Sequence, residues 1–424
     1  MADDGRFGCA RRRRSFRTKD SESDVKSKRW TFFFRVRNGA GRVTASEAHA
    51  AYRDTRFFAS LDGLRAFCIL IVLWHHAPAF AALGGAALEP RVLTRGFTGV
   101  DFFFVLSGFL ITTLLLREED RDGRFSLRGF YRRRILRIVP VYFLVVTLVG
   151  GWFVLVKGEA GYAALWPYYY GFLSNFLIGD IPTLEPTWSL SVEEQYYMLW
   201  PLLLLLLPML RARVAVVMAL LGWSFAVQAG YLPQPGLFRT ANAIVHVPLQ
   251  GFATILIGAL LAMTLHHPRG FAAVARIVGW RGAPVVLFLA LFLAWEVLPD
   301  VLRGWPNFVM HPLMAAIIAS LVIRPDHAMA PVLTWRPVAR IGAISYGLYL
   351  WHMVGRHFGH EFTLAAGITD PWLGTLIYIA LSIVIAEISF RFFETYFLKL
   401  KTPRERRPRP VTRRVTGPGG DQAG

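Results

Sequence analysis

The sequence predicts an all-α integral membrane protein, with about ten transmembrane helices enclosing a central cavity. Three observations carry that expectation. The apolar residues gather into long runs, the basic residues sit in the links and tails between those runs, and Trp and Tyr cluster where a headgroup layer would lie. Of 424 residues, 54% are hydrophobic, against about 45–50% in a typical soluble domain. A run of about 20 apolar residues crosses a bilayer as a helix. Such runs place spans near 65–83, 97–116, 138–156, 189–208, 214–231, 248–265, 283–298, 308–323, 341–358 and 372–393.

The formal charge of +19 is distributed for topology and not for nucleic acid. Basic residues concentrate in alternate links: Arg117 to Arg137, then Arg211 and Arg213, then Arg269, Arg276 and Arg281, then Arg324, Arg336 and Arg340. The intervening loops hold scattered cations such as Arg91, Arg95, Lys157, Arg239 and Arg303. Lys and Arg stay on the cytoplasmic side of a membrane, so the pattern predicts a multi-pass protein of the inner (plasma) membrane with both termini cytoplasmic. Residues 1–56 read as a basic, mostly disordered cytoplasmic tail, 57–400 as the transmembrane domain, and 401–424 as a disordered basic C-terminal tail. A basic tail of this kind rests favourably on anionic lipid. The patch Trp30 to Phe34, beside Arg35 and Arg37, reads as passive tail before it reads as a membrane contact. No signal peptide is expected, because the first apolar run begins too late.

Residues 162–188 are apolar and aromatic, yet the charge pattern leaves no room for another crossing. They are expected outside, as a re-entrant or interfacial segment, with Trp166-Pro-Tyr-Tyr-Tyr170 at headgroup level. The two cysteines, Cys9 and Cys68, fall in different environments. Neither a disulfide nor a cysteine metal cluster is expected, and no metal site is assigned.

The most informative residues are Arg65 and His76 in "LDGLRAFCILIVLWHH". Eleven positions is a rotation of about 20° past three turns and a rise of ~16 Å. Both side chains therefore point towards one face, while His75 points ~100° away from His76. Ionisable groups inside a membrane face protein or a wet cavity, and a neutral imidazole can act as a general base. The plainer reading is a snorkelling Arg65 and a His76 bonded to a neighbouring helix. In "FYRRRILRIVP", Arg134 and Arg137 share a helix face, and guanidinium forks suit phosphate oxygens. Topogenic charge explains Arg132 and Arg133 without more.

In "PTWSLSVEEQYYMLWP", Glu193 and Glu194 either serve the site or mark a helix start beside Ser189 and Ser191. Asp101, among aromatics in "FTGVDFFFVLSGFLITTLLLRE", is a further candidate. Ser107-Gly108 in the same string reads as helix packing before it reads as a nucleophile. His352 in "ISYGLYLWHM" is as readily a helix contact as a site residue.

Taken together, "SLDGLRAFCILIVLWHH", "GVDFFFVLSGFLITTLLLRE", "FYRRRILRIVP", "PTWSLSVEEQYYMLWPLLL" and "ISYGLYLWH", with a closing "FRFFETYF", resemble the acyltransferase-3 family of multi-span membrane acyltransferases. The resemblance covers about residues 57–400. It implies transfer of an acyl group, acetyl by default, from cytoplasmic acyl-CoA to a hydroxyl of a cell-surface or lipid-linked saccharide. Acyl-CoA is then a co-substrate, and a saccharide or glycolipid and the lipid bilayer are the partners. The family's Arg-x10-His motif falls on Arg65 and His76, and its Arg-x-x-Arg motif on Arg134 and Arg137. On this reading His76 is the catalytic base, assisted by Glu194 and Asp101, and Arg65, Arg134 and Arg137 bind the co-substrate. Some relatives carry a C-terminal esterase-like domain, which this sequence lacks, and its long basic N-terminal tail is not part of the common pattern. The alternative from another class is a transporter or flippase of a lipid-linked sugar, for which no paired broken helices are evident.

Overall fold

The computed structural model describes residues 44–400 apart from 88, 234–235 and 300–303. Residues 1–43 and 401–424, which hold most of the two expected tails, lie outside the described residues. The described chain is predominantly helical. Its main helices are α1 (Ala45–Asp54), α2 (Ala59–His75), α3 (Thr98–Asp122), α4 (Leu127–Gly151), α5 (Thr187–Leu206), α6 (Leu210–Gln228) and α7 (Leu249–His266). They continue with α8 (Pro268–Val278), α9 (Ala283–Val297), α10 (Trp305–Ile323), α11 (Arg336–Ala343), α12 (Ser345–Ala365) and α13 (Pro371–Ile388). Between α6 and α7 a small antiparallel hairpin pairs β1 (Gly236–Arg239) with β2 (Ile244–His246).

Each expected span falls on one of these helices. Five helices, α3, α4, α6, α10 and α13 with their adjoining turns, are long and apolar enough to cross a membrane. Counting the bent pairs α1–α2 (69°) and α7–α8 (108°) as one span each gives up to seven. Of the others, α9 is short at 15 residues. Helices α5 and α12 are diluted by polar groups, among them Glu193 and Glu194 on one and His352 and Arg356 on the other. Such groups are tolerated at membrane depth where a helix faces protein or a wet cavity.

Several boundaries differ from the sequence expectation, among them the start of α4 at Leu127 and the break at Ile344 within 341–358, and two show the physical reason. The first span begins at Ala59 and stops at His75, several residues earlier than 65–83. Its opening turn is polar, with Asp62 pairing to Arg65 at 2.9 Å, so a count of apolar residues starts too late. The N-terminal extension is also ordered before residue 56. Thr44 and Glu47 form a reciprocal capping box at the start of α1, which packs against α8 and buries His49 and Tyr52. Arg117 of α3 fastens it, donating to the carbonyls of Tyr52 (2.6 Å) and Thr55 (2.5 Å).

The segment 162–188 contains only short helical pieces, Ala160–Leu165, Trp166–Tyr170 and Ser174–Phe176. Gln195 of α5 holds it, donating to the Phe172 carbonyl and to Asn175 Oδ1, both at 2.8 Å. Tyr142 of α4 donates to the Tyr169 carbonyl at 2.9 Å.

Helices α3 and α7 approach closely, and glycine permits it. A Cβ on Gly258 would run into the backbone of Val105 and Phe109, and one on Gly108 into the Ile255 carbonyl. Small residues are the usual means by which membrane helices come together. Backbone cannot yield as a side-chain tip can. Gly258→Val is therefore expected to cost about 3 kcal/mol, read as a lower unfolding temperature in detergent, while Gly222→Ala, which meets open space, leaves it unchanged.

Candidate active site

Helices α2, α3, α4, α5 and α12 converge on a cavity of about 330 Å³. Its lining joins two kinds of residue. Phe103, Phe104, Leu106, Leu110 and Ile111 form an apolar wall, while Arg65, Arg134, Arg137, Ser107, Glu193, Tyr197 and Tyr349 supply polar groups. Arg56, Leu114, Arg117, Arg134 and Arg137 also line a wider recess of about 1240 Å³, to which Arg53, Arg121 and Arg133 add further cations. The shared residues make one path, a cation-rich vestibule leading into a narrower, partly apolar chamber.

Helical spacing places the cations. Arg134 and Arg137 lie three residues apart on α4, behind a first turn capped by Ser126, whose Oγ accepts from the Gly129 amide at 3.0 Å. Arg134 lies over the rings of Phe130 (5.8 Å) and Tyr197 (5.3 Å), a cation–π arrangement that orients the guanidinium. Arg65 is held by Asp62. Arg137 reaches into the cavity and makes no hydrogen bond or ion pair among the described residues. A guanidinium with its donors unspent, beside two more cations, is a place for an anionic ligand.

The neighbouring arginines are otherwise engaged. Arg133 pairs with Glu118 at 2.8 Å and Arg213 forks onto Glu119 at 2.6 and 2.8 Å. Arg53 pairs with Asp120.

Within the chamber, three side chains form a hydrogen-bonded chain that ends on a carboxylate. Tyr197 OH donates to Ser107 Oγ at 3.0 Å, and Ser107 Oγ donates to Glu193 Oε1 at 2.6 Å. On the α12 side, Tyr349 OH donates to the Pro186 carbonyl at 3.0 Å and exchanges a hydrogen bond with Ser189 Oγ at 2.8 Å. From sequence, Ser107 reads as helix packing and Glu193 as either a site group or a helix start, while Tyr197 and Tyr349 are not singled out. The only local signal was a serine in an apolar run and a Glu four positions before a Tyr; their meeting depends on how α3 packs against α5.

His76 is the C-cap of α2, not a residue of its interior, and it is not among the residues lining the chamber with Arg65. Its Nδ1 lies 3.0 Å from the Val72 carbonyl. A carbonyl only accepts, so Nδ1 carries the proton and Nε2 keeps a lone pair. The ring stands 5.0 Å from that of the fully buried His352. His352 repeats the arrangement, its Nδ1 2.6 Å from the Tyr349 carbonyl and its Nε2 without a partner among the described residues. The His352 ring is 5.5 Å from the ring of Tyr349, which lines the chamber. The two imidazoles thus adjoin the chamber through Tyr349.

The remaining candidates lie apart. Glu194 is not among the lining residues, and its Oε1 is buried without a hydrogen-bond partner among the described residues. Asp101, next to the cavity residue Val100, has Oδ1 3.9 Å from Nε2 of buried His311, which in turn approaches Thr254 Oγ1 at 3.4–3.5 Å. No group of three metal-ligating side chains gathers among the described residues.

This architecture has counterparts in known sequences. The chain is 29% identical over 366 residues to the peptidoglycan O-acetyltransferase OatA of Listeria monocytogenes, covering 80% of this chain and 56% of that protein. It is 30% identical over 376 residues to YrhL of Bacillus subtilis, named as a candidate peptidoglycan O-acetyltransferase, covering 80% and 54%. A Staphylococcus aureus (strain COL) protein named as a candidate O-acetyltransferase is 28% identical over 378 residues, covering 84% and 60%. The chain therefore spans little more than half the length of these relatives. No solved structure matches it significantly. The sequence pattern of the acyltransferase-3 family, described as an acyltransferase domain, matches residues 58–390. That stretch runs from the start of α2 to the end of α13 and contains every helix around the chamber, and the chain belongs to this family.

Proposed function

We propose that this protein is a membrane O-acyltransferase that moves an acyl group, acetyl by default, from cytoplasmic acyl-CoA to a hydroxyl of a cell-surface or lipid-linked saccharide. The observation that carries the reading is Arg137, a guanidinium with no hydrogen bond or ion pair among the described residues, which lines both a basic vestibule and a partly apolar chamber together with Arg134, with Arg65 also lining the chamber. Coenzyme A is a polyphosphate on a long, weakly polar arm, and the vestibule and chamber suit those two parts in that order. The names of the relatives point to saccharide acceptors.

In this reading the arginine-rich end faces the cytoplasm of a plasma-membrane protein with about ten crossings, residues 57–400 form the catalytic domain, and both termini are cytoplasmic. Arg134 and Arg137 hold the phosphates and Arg65 guards the entrance. The acceptor hydroxyl comes from the opposite end, where His76 stands. Nε2 of His76 takes the acceptor hydroxyl proton and the hydroxyl oxygen bonds to the acyl carbon; over the whole reaction the C–S bond breaks and the thiolate leaves as CoA-SH with one proton, whether the acyl group passes directly or through a transient acyl-enzyme. Asp101 and Glu194 orient the acceptor or the imidazole. The thiolate is a good leaving group, so this chemistry asks for no metal.

Purified protein in lipid nanodiscs, given radiolabelled acetyl-CoA and a muropeptide or oligosaccharide acceptor, is expected to release CoA and label the acceptor. A carrier would release no CoA, and that result would end the proposal.

A further inference from the structure

We propose that Ser107 carries the acyl group as a covalent ester between donor and acceptor, with Glu193 as its base. The inference deepens the acyl-CoA reading above and rests on it.

Serine and threonine in apolar helices ordinarily satisfy themselves by donating to a carbonyl one turn back. Thr147, Thr264 and Ser382 do so here, bonding Phe143, Leu260 and Tyr378 at 2.6–2.8 Å. Ser107 does not. Its proton is directed across a helix interface to a carboxylate at 2.6 Å, and its oxygen accepts from Tyr197 at 3.0 Å. A hydroxyl oxygen has two lone pairs. One is used by Tyr197, and the other remains for bond formation. A hydroxyl within hydrogen-bond reach of a base is the usual geometry of an activated nucleophile, and here Tyr197 fixes the hydroxyl's orientation.

Position supports the same role. Ser107, Glu193 and Tyr197 line the chamber that Arg65, Arg134 and Arg137 also line, and Arg134 lies over the Tyr197 ring at 5.3 Å. The backbone beside Ser107 is fixed, since Gly108 is pressed against the Ile255 carbonyl of α7. His76 is not in that lining and meets it through His352 and Tyr349. Direct transfer would require donor and acceptor to meet in one chamber. A carrier serine lets the donor leave first.

The two half-reactions balance. Ser107 Oγ bonds to the thioester carbon while its proton passes to Glu193. The C–S bond breaks, and the thiolate takes that proton and departs as CoA-SH. In the second half, His76 deprotonates the acceptor hydroxyl, whose oxygen attacks the ester carbon. The C–Oγ bond breaks, and Ser107 regains a proton equivalent to the one His76 removed.

The test uses the full chain in nanodiscs with radiolabelled acetyl-CoA and no acceptor, followed by acid quench, digestion and mass spectrometry. One acetyl group is expected on the peptide containing Ser107, removable by hydroxylamine. It should persist in His76→Ala even when acceptor is added, because discharge is blocked. Glu193→Gln is expected to lose most of the label and Ser107→Ala all of it, together with turnover. Ser107→Cys guards against a folding defect in the alanine variant, since a folded nucleophilic site would take the acetyl group as a thioester. CoA release with acceptor, but no label on residue 107 in wild type, His76→Ala or Ser107→Cys, would overturn the carrier while leaving the acyl-CoA reading intact. Absence of CoA release under every condition would remove both.

Discussion

Replacing His76 by Ala is expected to lower the turnover of saccharide acylation by about 10²–10⁴-fold, the usual worth of a positioned general base, while the KM for acyl-CoA stays close to that of the wild type. The separation of the two effects follows from where the imidazole sits. It is not part of the arginine-lined chamber, so its removal leaves the donor's contacts in place. Nor should the fold suffer greatly. The end of α2 is closed by the backbone amide of residue 76, which reaches the carbonyls of Val72 and Leu73 at 3.3 and 3.2 Å. The ring itself satisfies only the Val72 carbonyl, which the backbone amide also serves. Steady-state kinetics with varied acyl-CoA and varied acceptor, alongside a thermal melt, would check this. Undiminished transfer would take the histidine out of the mechanism.

Arg137→Ala is expected to act in the opposite way, raising the KM for acyl-CoA about 10–100-fold, the value of a hydrogen bond to a charged group. Arg137 makes no hydrogen bond or ion pair among the described residues, so its loss breaks no direct bond, and only the longer-range pull of its charge on the Glu394 and Asp62 carboxylates is given up. Stability should hold or rise slightly as three close cations become two. Arg137→Lys keeps the charge but loses the fork, so an intermediate KM is expected. Equilibrium binding of a non-hydrolysable acyl-CoA analogue measures the effect without turnover. Arg133→Ala provides the contrast. That side chain already pairs with Glu118, and a much smaller change in KM is expected. Equal losses at 133 and 137 would mean that the vestibule acts only through its overall charge.

The helical, membrane-spanning class and the family were legible in the sequence because both rest on patterns along the chain. Apolar runs fix where helices can cross, since unsatisfied backbone is not tolerated in lipid. Five short motifs in order are carried by linear spacing alone. The ends of helices were less legible. The polar opening turn of α2 hid its start, and the ordered helix α1 was absorbed into a basic tail because its amphipathic face gains order only by packing on α8 and by the grip of Arg117.

Sequence by itself determined that Arg65 and His76 fall in and beside one apolar run and that Arg134 and Arg137 share a helix face, because spacing along one helix sets rotation and rise. Only the tertiary structure decided which of those groups share a chamber. Arg65 comes from α2 and Arg134 and Arg137 from α4, and the relation between two helices depends on side-chain packing across them. Packing of α3 against α5 likewise brings Ser107 against Glu193. Contacts between residues 86 positions apart leave no periodic trace in a single chain, so no reading of spacing could have found them.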